Sequence, residues 1–525
     1  MHPLARDLAT FVAMVTGFVV LDRATRMVAR LSDSDIAQPV LLISAVLSRP
    51  ILVVAAIVVG VGALVVVPRL RAGWDSFEHG RALRWFALPV VVLLAWADSM
   101  YGYNFLAGHW HLLDRVAVVA LAAASWRWPI VLVPLAAQLR IVTHQFDHGF
   151  STTAGQNIDE LLVMALLCIA AVVVVGVLLG IDDTAWVLVL LMALVASHFF
   201  LPGRSKIPLD WATTDDLAHF PVSAYTAGWR GAGDGTWARR MSDVVDTFSV
   251  PLRLGALVLE LGALIAVAHV RLFRLWVPGW VLFHLSVLVF TGFWFGSWIT
   301  VEVGLLVLLL VPSLREWSTR HANVAVGALA VLLVIIGSHV FQPPRLAWLD
   351  GPVSYGLEVT ATGDSGTVYR VPPSAFAPLD QEIAFVRLPL ARTREAAAAY
   401  GAISTKQELV ALEELRSIDD LAAYEQTLGP TFAVPGSNAE RFFTTWLDHA
   451  NARSVDPWYL VGPIPHFRST VPSPVYSGQE HLVSIAVTRV AALDLGDTVE
   501  YRREVVLQVD VDADGVATVV ARWSD

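Results

Sequence analysis

Long apolar runs separated by short polar segments fill residues 1–342, whereas residues 343–525 alternate apolar and polar positions. A helix needs roughly 20 mainly apolar residues to cross the hydrocarbon layer of a bilayer. Runs approaching that length cover 8–28, 50–67, 84–100, 112–126, 127–142, 158–180, 184–201, 252–270, 275–293, 296–312 and 323–341. Several are short or abut their neighbours, so the pattern predicts about nine to eleven transmembrane helices in a polytopic α-helical membrane domain over 1–342. The first run lacks a small-residue cleavage site and continues into Asp22 and Arg23, so it is expected to be retained as a span.

The alternating segments SYGLEVTATGDSGTVYRV, HLVSIAVTRVAAL and VEYRREVVLQVDVDADGVATVVARW predict strands, with turns at Gly363-Asp364 and Asp514-Gly515. Residues 393–427 and 437–453 have helical spacing between them. Residues 343–525 therefore read as a β-rich α+β extramembrane domain, long enough to bury a core of its own.

Composition sharpens this division. The 525 residues are 56% hydrophobic and only 16% charged, against about 25% charged in soluble proteins. Residues 343–525 hold 14 basic and 24 acidic side chains and so carry the whole net charge of −10. A single soluble globule, a disordered chain and a nucleic-acid binder are excluded. The single cysteine, Cys168, excludes a dithiol centre, an intramolecular disulfide and a Cys-ligated zinc site. Only two lysines, Lys206 and Lys406, stand against 34 arginines. Arg69, Arg71, Arg81, Arg84, Arg271, Arg274, Arg315 and Arg320 fall on one side if every run spans, and the positive-inside tendency makes that side cytoplasmic. The C-terminal domain and the 202–250 loop are then extracytoplasmic, although Arg23, Arg26 and Arg30 pull the other way.

The segment HFFLPGRSKIPLDW (198–211) closes one apolar run and sets Gly203, Lys206 and Trp211 at the membrane boundary. A desolvated lysine amine can lose its proton and act as a general base, which an arginine guanidinium cannot. The plainer alternative is a lysine snorkelling beside an interfacial Trp. Glu260 (LGALVLELGALIAVAHV) and His284 (WVPGWVLFHLSVLVF) lie inside apolar runs, where ionisable groups point to function, and the two can pair. His198, His269 and Glu302 fall nearer run ends and read as interfacial. No metal-ligand spacing of the H-E-x-x-H kind is present, and none is expected to bind. In FTGFWFGSWITVE (290–302), Phe293 and Trp294 join Trp211 as candidate contacts for a flat apolar ligand entering from lipid, or as an aromatic belt. His109 and His111 in YGYNFLAGHWHLLD, and His144 and His148 in THQFDHGFSTTAGQNID, could line the mouth of a site or lie in ordinary solvated loops. The C-terminal domain carries no phosphate loop or nucleophile elbow. Its VDVDADGVA lacks the Glu that completes a calcium loop.

The pattern Gly203-x-x-Lys206 with Trp211 five residues on, after a run ending in aromatics, resembles the vitamin K-dependent γ-carboxylases and their bacterial relatives, the horizontally transferred transmembrane (HTTM) proteins. LELGALIAVAHVRLFRLWVPGWVLFHLSVLVFTGFWFG is similar to that family's acidic span and Phe-His span. The likeness covers about residues 180–310, and the β-rich tail fits the family's layout. The resemblance implies that Lys206 is the base toward reduced vitamin K or another lipid quinol. O2 and CO2 would be co-substrates in quinol epoxidation coupled to glutamate carboxylation of a peptide or protein. It further implies that Glu260 and His284 support the site. Ser205 stands where the animal enzymes have a second lysine. The other function class is a non-catalytic HTTM membrane protein whose acidic domain binds an extracellular partner. A transporter lacks any visible inverted repeat.

Overall fold

The computed structural model describes residues 3–29, 54, 72–100, 111–146, 160–214, 217–226, 235–293, 295–321, 324–343, 346–376, 383, 402–428, 437–452, 473–511 and 517–522. Its first part is a helical bundle. The helices are α1 (Pro3–Ala29), α2 (Gly80–Met100), α3 (His111–Ser125), α4 (Leu132–Phe146), α5 (Glu160–Leu179), α6 (Val187–Lys206), α7 (Phe220–Thr226), α8 (Thr236–Thr247), α9 (Ser249–Leu261), α10 (Val270–Thr291), α11 (Gly296–Leu310), α12 (Pro312–His321) and α13 (Val324–Ile335). Helix α5 after Glu160, and α6 as far as Ala196, are apolar all round, as suits a helix enclosed in a core or crossing a membrane. Both lie at the centre, with Leu161–Val173 and Val187–Phe199 almost wholly buried, and α1, α4, α9 and α13 pack around them.

Among the described residues, six helical segments are long and apolar enough to cross a membrane: Leu4–Ala29, Gly80–Asp98, Glu160–Leu179, Thr184–Leu209, Ser249–Ala266 and Val270–Thr291. Helices α11 and α12 make a seventh if their 82° bend is counted within one span. The expected nine to eleven is larger because apolar content does not guarantee continuous helix. The 112–126 and 127–142 runs become α3 and α4, of 15 residues each, and the 323–341 run stops after 12 residues at Ile336. The 50–67 run falls outside the described residues, apart from Val54.

One cluster of basic residues lies at one end of the bundle. Arg271, Arg274 and Arg315 interact there, His321 contacts Asp7 at 3.2 Å, and Trp317 reaches the α5–α6 connection. At the opposite end, Arg26 donates to Gln342 (2.6 Å) where the chain leaves the bundle.

The C-terminal region contains β1 (Leu349–Asp350), β2 (Val353–Gly363), β3 (Val368–Arg370), β4 (Ala402–Ile403), β5 (Leu482–Asp494), β6 (Val499–Val511) and β7 (Ala517–Arg522). Five strands form one antiparallel sheet in the order β3-β2-β5-β6-β7, and β1 pairs β4. The strands fall where the alternation predicts, and Gly363 and Asp364 turn β2 into β3. The 393–427 helical spacing resolves into β4, α14 (Lys406–Glu413) and α15 (Ile418–Leu428), with residues 393–401 outside the described set. Thr405 starts α14 by accepting the Glu408 amide at 3.2 Å, as an N-cap does. Helix α16 (Ser437–Ala452) lays Phe442, Phe443, Trp446 and Leu447 against Val359, Ile485, Val487 and Val509 of the sheet. A second core forms where Tyr355, Leu409, Leu412, Ala491 and Leu493 meet Trp211 and Ala256 of the bundle.

Residues 217–226 and 235–247 are clamped to the sheet. Asp350 accepts the amides of His219 and Phe220 (2.6 and 3.1 Å). Asp494 accepts from Arg239 and lies 3.1 Å from His219 Nδ1. Burial pushes the Asp494 carboxyl up, but its His219 and Arg239 partners outweigh this and hold it below the ordinary value of 3.8. A depressed folded-state value means the clamp is complete above the unfolded carboxylate range, near 3.9, and weakens as pH falls through the lower folded value. Acidification from pH 5 to 3 is therefore expected to speed proteolysis of 217–247. In Asp494→Asn that segment should already be labile at pH 7 and lose most of this acid dependence.

Candidate functional site

Lys206 ends α6, and the chain turns immediately after it. Ile207-Pro208-Leu209 form one tight turn, and Asp210 adopts a left-handed conformation (φ 52°). That reversal folds Trp211 back, so the Lys206 Nζ stands 4.5 Å from its ring centroid. Glu260, near the end of α9, faces the same point. Nζ donates to both carboxylate oxygens, at 2.7 and 2.9 Å. Lys206 is 7% and Glu260 3% exposed. Gly203, one turn before the lysine, makes the approach possible: a Cβ there would lie 2.7 Å from the Glu260 Cβ. The end of α9 is fixed in turn by Trp276 and Trp280, whose indole nitrogens both donate to the Leu259 carbonyl (3.1 and 3.0 Å).

His284 is also buried, but it does not hydrogen-bond Glu260. The lysine takes both carboxylate oxygens, and His284 Nδ1 instead lies 3.1 Å from Glu302 Oε1. That contact is poorly aligned, and Nδ1 and both Glu302 oxygens make no hydrogen bond. Aromatic rings surround the imidazole: Phe295 stacks on it at 4.7 Å, and Phe199 and Trp298 close in at 5.2 and 5.3 Å. Phe199 stacks on Trp280 at 4.5 Å, joining this cage to the lysine helix.

Two sequence expectations are corrected here. Glu302 and His198 are not interfacial; they are 0% and 2% exposed, because α11 and α6 carry them into the bundle rather than along its rim. His198 Nδ1 meets the Leu194 carbonyl at 2.8 Å, and its ring packs on Trp298 at 5.2 Å. His269 is exposed and caps α10 by accepting the Arg271 amide. Trp211 belongs to the lysine site. Phe293 sits in the α10–α11 turn that Gly292 makes with φ 75°, and Trp294 lies outside the described residues, so Phe295 and Trp298 are the rings that line the cage. His109 and His148 are likewise outside the described residues, and so is the side chain of His111.

His144 is buried 3.4 Å from Asp22 rather than lining a mouth. It joins a charge network that sequence reasoning missed. Arg140 donates from Nε to Asp22 (2.9 Å) and from Nη1 to Glu160 (2.8 Å), and none of its surface is exposed. The available signal was an arginine inside the apolar run LVPLAAQLRIV.

A cavity of about 520 Å³ opens elsewhere, between α2 and α3, lined by Trp74, Arg84, Val91, Trp96 and Trp126. It is mostly apolar, with Arg84, whose guanidinium lies over Trp126, and Ser125 as its polar members, and it holds no acid–base pair. The Lys206–Glu260 pair, by contrast, sets a proton donor and acceptor in contact, almost shielded from water, with the Trp211 ring beside them. No protein-family model matches the chain, and none of the curated proteins or solved structures does.

Proposed function

We propose that the protein is an integral-membrane enzyme of the γ-carboxylase type, in which the Lys206 amine is the general base toward a lipid-borne hydroquinone. The observation that carries this reading is the buried, bidentate Lys206–Glu260 contact under the face of Trp211. In an apolar site an ion pair and its neutral counterpart lie close in free energy, because desolvation penalises both charges. Glu260 can take the ammonium proton and leave a free amine. That amine can then accept a hydroxyl proton, leaving a quinolate, a Lys206 ammonium and a protonated Glu260. The ammonium so formed is favoured by the Trp211 ring and by the quinolate as its counter-anion. His284, held among Phe199, Phe295 and Trp298, supports the aromatic wall rather than the proton transfer.

The residues suit a reduced quinone: one acid–base pair, flat aromatic neighbours, and the exposed apolar Ile207 on the lipid side. Such a quinol, when bound, supplies the acidic hydroxyl and the reducing equivalents, with O2 and CO2 as co-substrates. In this reading the shorter apolar helices and residues 50–67 complete the set of nine to eleven spans. The basic end of the bundle is cytoplasmic, and the C-terminal sheet lies outside. That Trp211 shares an apolar core with residues of the sheet supports a role for the sheet in presenting a peptide to the site.

The test is turnover by the full-length protein in lipid nanodiscs given vitamin K hydroquinone, O2 and CO2, with quinone and peptide products identified by mass spectrometry. Oxygen-dependent quinol consumption is expected, and Lys206→Arg should reduce it at least about a hundredfold, while the variant remains folded. Full turnover in Lys206→Arg, or none in the parent, overturns the enzyme reading and leaves the pair as a packing lock in a membrane protein of the partner-binding kind.

A further inference from the structure

At the basic end of the bundle, opposite Lys206, three chain segments converge. The turn before α2 brings Glu78 and His79, the α5–α6 connection brings Asp183, and α12 brings Ser313 and Trp317. Backbone and side-chain bonds hold the first two together. The Glu78 amide donates to the Asp182 carbonyl (2.9 Å), and the Thr184 hydroxyl donates to the Glu78 carbonyl. His79 takes a left-handed backbone conformation, φ 65°, at the turn. One atom from each of Glu78, His79 and Asp183 can be chosen so that all lie within 4.8 Å of one another.

We propose that Glu78, His79 and Asp183 form a binding site for a divalent transition-metal ion of the Zn2+ class. The decisive observation is His79. Its side chain is 6% exposed, yet its Nε2 is buried without a hydrogen-bond partner and sits 3.5 Å from Glu78 Oε1. The other ring nitrogen, Nδ1, lies 3.2 Å from the Ser313 hydroxyl. With Nδ1–H donating to Ser313, the Nε2 lone pair faces a carboxylate. Two electron-rich groups placed together in this way attract a cation into the space between them. An imidazole whose remote nitrogen is oriented by a hydrogen bond is the usual arrangement of a metal-bound histidine.

Asp183 is prepared in the same sense. Its Oδ1 accepts the Ala185 amide (3.0 Å) and its Oδ2 accepts the Trp317 indole N–H (2.6 Å). Each oxygen keeps a second lone pair, and the two donors fix the direction in which it points. Trp317 and Ala185 thus act as outer-sphere supports. One imidazole nitrogen and two carboxylates suit Zn2+, Mn2+ or Co2+, whereas Mg2+ and Ca2+ prefer all-oxygen sets. Three protein ligands leave a fourth position to water. Ligand distances of about 2.0–2.2 Å require Asp183 and Glu78 to close toward the imidazole. Glu78, exposed over more than half its side chain, is free to swing. A metal here would cross-link the α2, α5–α6 and α12 segments on the face away from the lysine.

The test uses untagged full-length protein in detergent, stripped with a chelator, dialysed against Zn2+ and measured by elemental mass spectrometry. One retained equivalent is expected, together with a higher melting temperature in Zn2+ but not in Mg2+. Co2+ should give the visible absorption of a four-coordinate ion. His79→Asn removes the nitrogen ligand while tolerating the left-handed backbone, and should lower affinity at least tenfold. Glu78→Gln changes an exposed side chain, so it keeps the fold as a second probe and should weaken binding similarly. Trp317→Phe should cost about 10–100-fold through lost outer-sphere support. No retained Zn2+ in the parent, or retention unchanged in both His79→Asn and Glu78→Gln, overturns the proposal. Quinol turnover is read independently, so either result leaves the Lys206 reading separately decided.

Discussion

Lys206→Met is expected to destabilise the protein by about 3–5 kcal/mol, because it leaves the Glu260 carboxylate buried with no counter-charge. The cost follows from removing one partner only. Glu260 is 3% exposed and its two oxygens receive the lysine's hydrogen bonds, so water cannot replace the lost donor without opening the α6–α9 contact. Lys206→Met with Glu260→Leu should recover most of the loss, since an apolar pair of similar volume often matches or exceeds a buried ion pair. Denaturant unfolding in detergent, followed by tryptophan fluorescence, would read both. The comparison separates stability from chemistry, for the double variant should fold well and turn over no quinol. A single variant as stable as the parent would mean that the carboxylate reaches water.

Arg140→Leu should be at least as damaging. The guanidinium is fully buried and bonds Asp22 of α1 and Glu160 of α5 from its place on α4. Its removal takes a charged hydrogen-bond donor from both carboxylates inside the bundle, leaving Asp22 with His144 at 3.4 Å and Arg26 at 3.8 Å. A loss of about 3–5 kcal/mol is expected, seen as a melting temperature lowered by several degrees or as failure to accumulate in the membrane. Arg140→Leu combined with Asp22→Asn and Glu160→Gln should restore part of it. Equal stability of Arg140→Leu and the parent would contradict a clamp joining the three helices.

Much of this architecture was legible in the chain. The strands β2, β5 and β6 follow directly from strict alternation, and the enclosed α5 and α6 from residues apolar on every side. Helix continuity was less legible. The 323–341 run is mostly apolar, but the helix breaks before Gly337, where a Cβ would lie 2.4 Å from the Ser197 hydroxyl; that close approach is a tertiary fact. At the site, Lys206 and Trp211 were readable at the end of one apolar run, and Glu260 as a charge inside another. Which partner each would take was not. Glu260 and His284 looked like a pair because both interrupt apolar runs, yet pairing depends on helix rotation, which turns Glu260 toward α6 and His284 toward α11. The Glu78–His79–Asp183 convergence left no sequence signal, since its ligands come from turns about a hundred residues apart with no motif spacing.

The core shared by Trp211, Ala256, Tyr355 and Leu409 makes the linker at residue 343 a poor place to divide the molecule. A covalent boundary and a mechanical one do not coincide here. A push on the sheet is delivered to Trp211, and Trp211 is the ring that lies over the lysine nitrogen. A displacement of the sheet therefore has a lever arm of a few side chains reaching into the bundle. A graft that exchanged the tail for another would alter the tension on Lys206 even with every residue of the bundle unchanged.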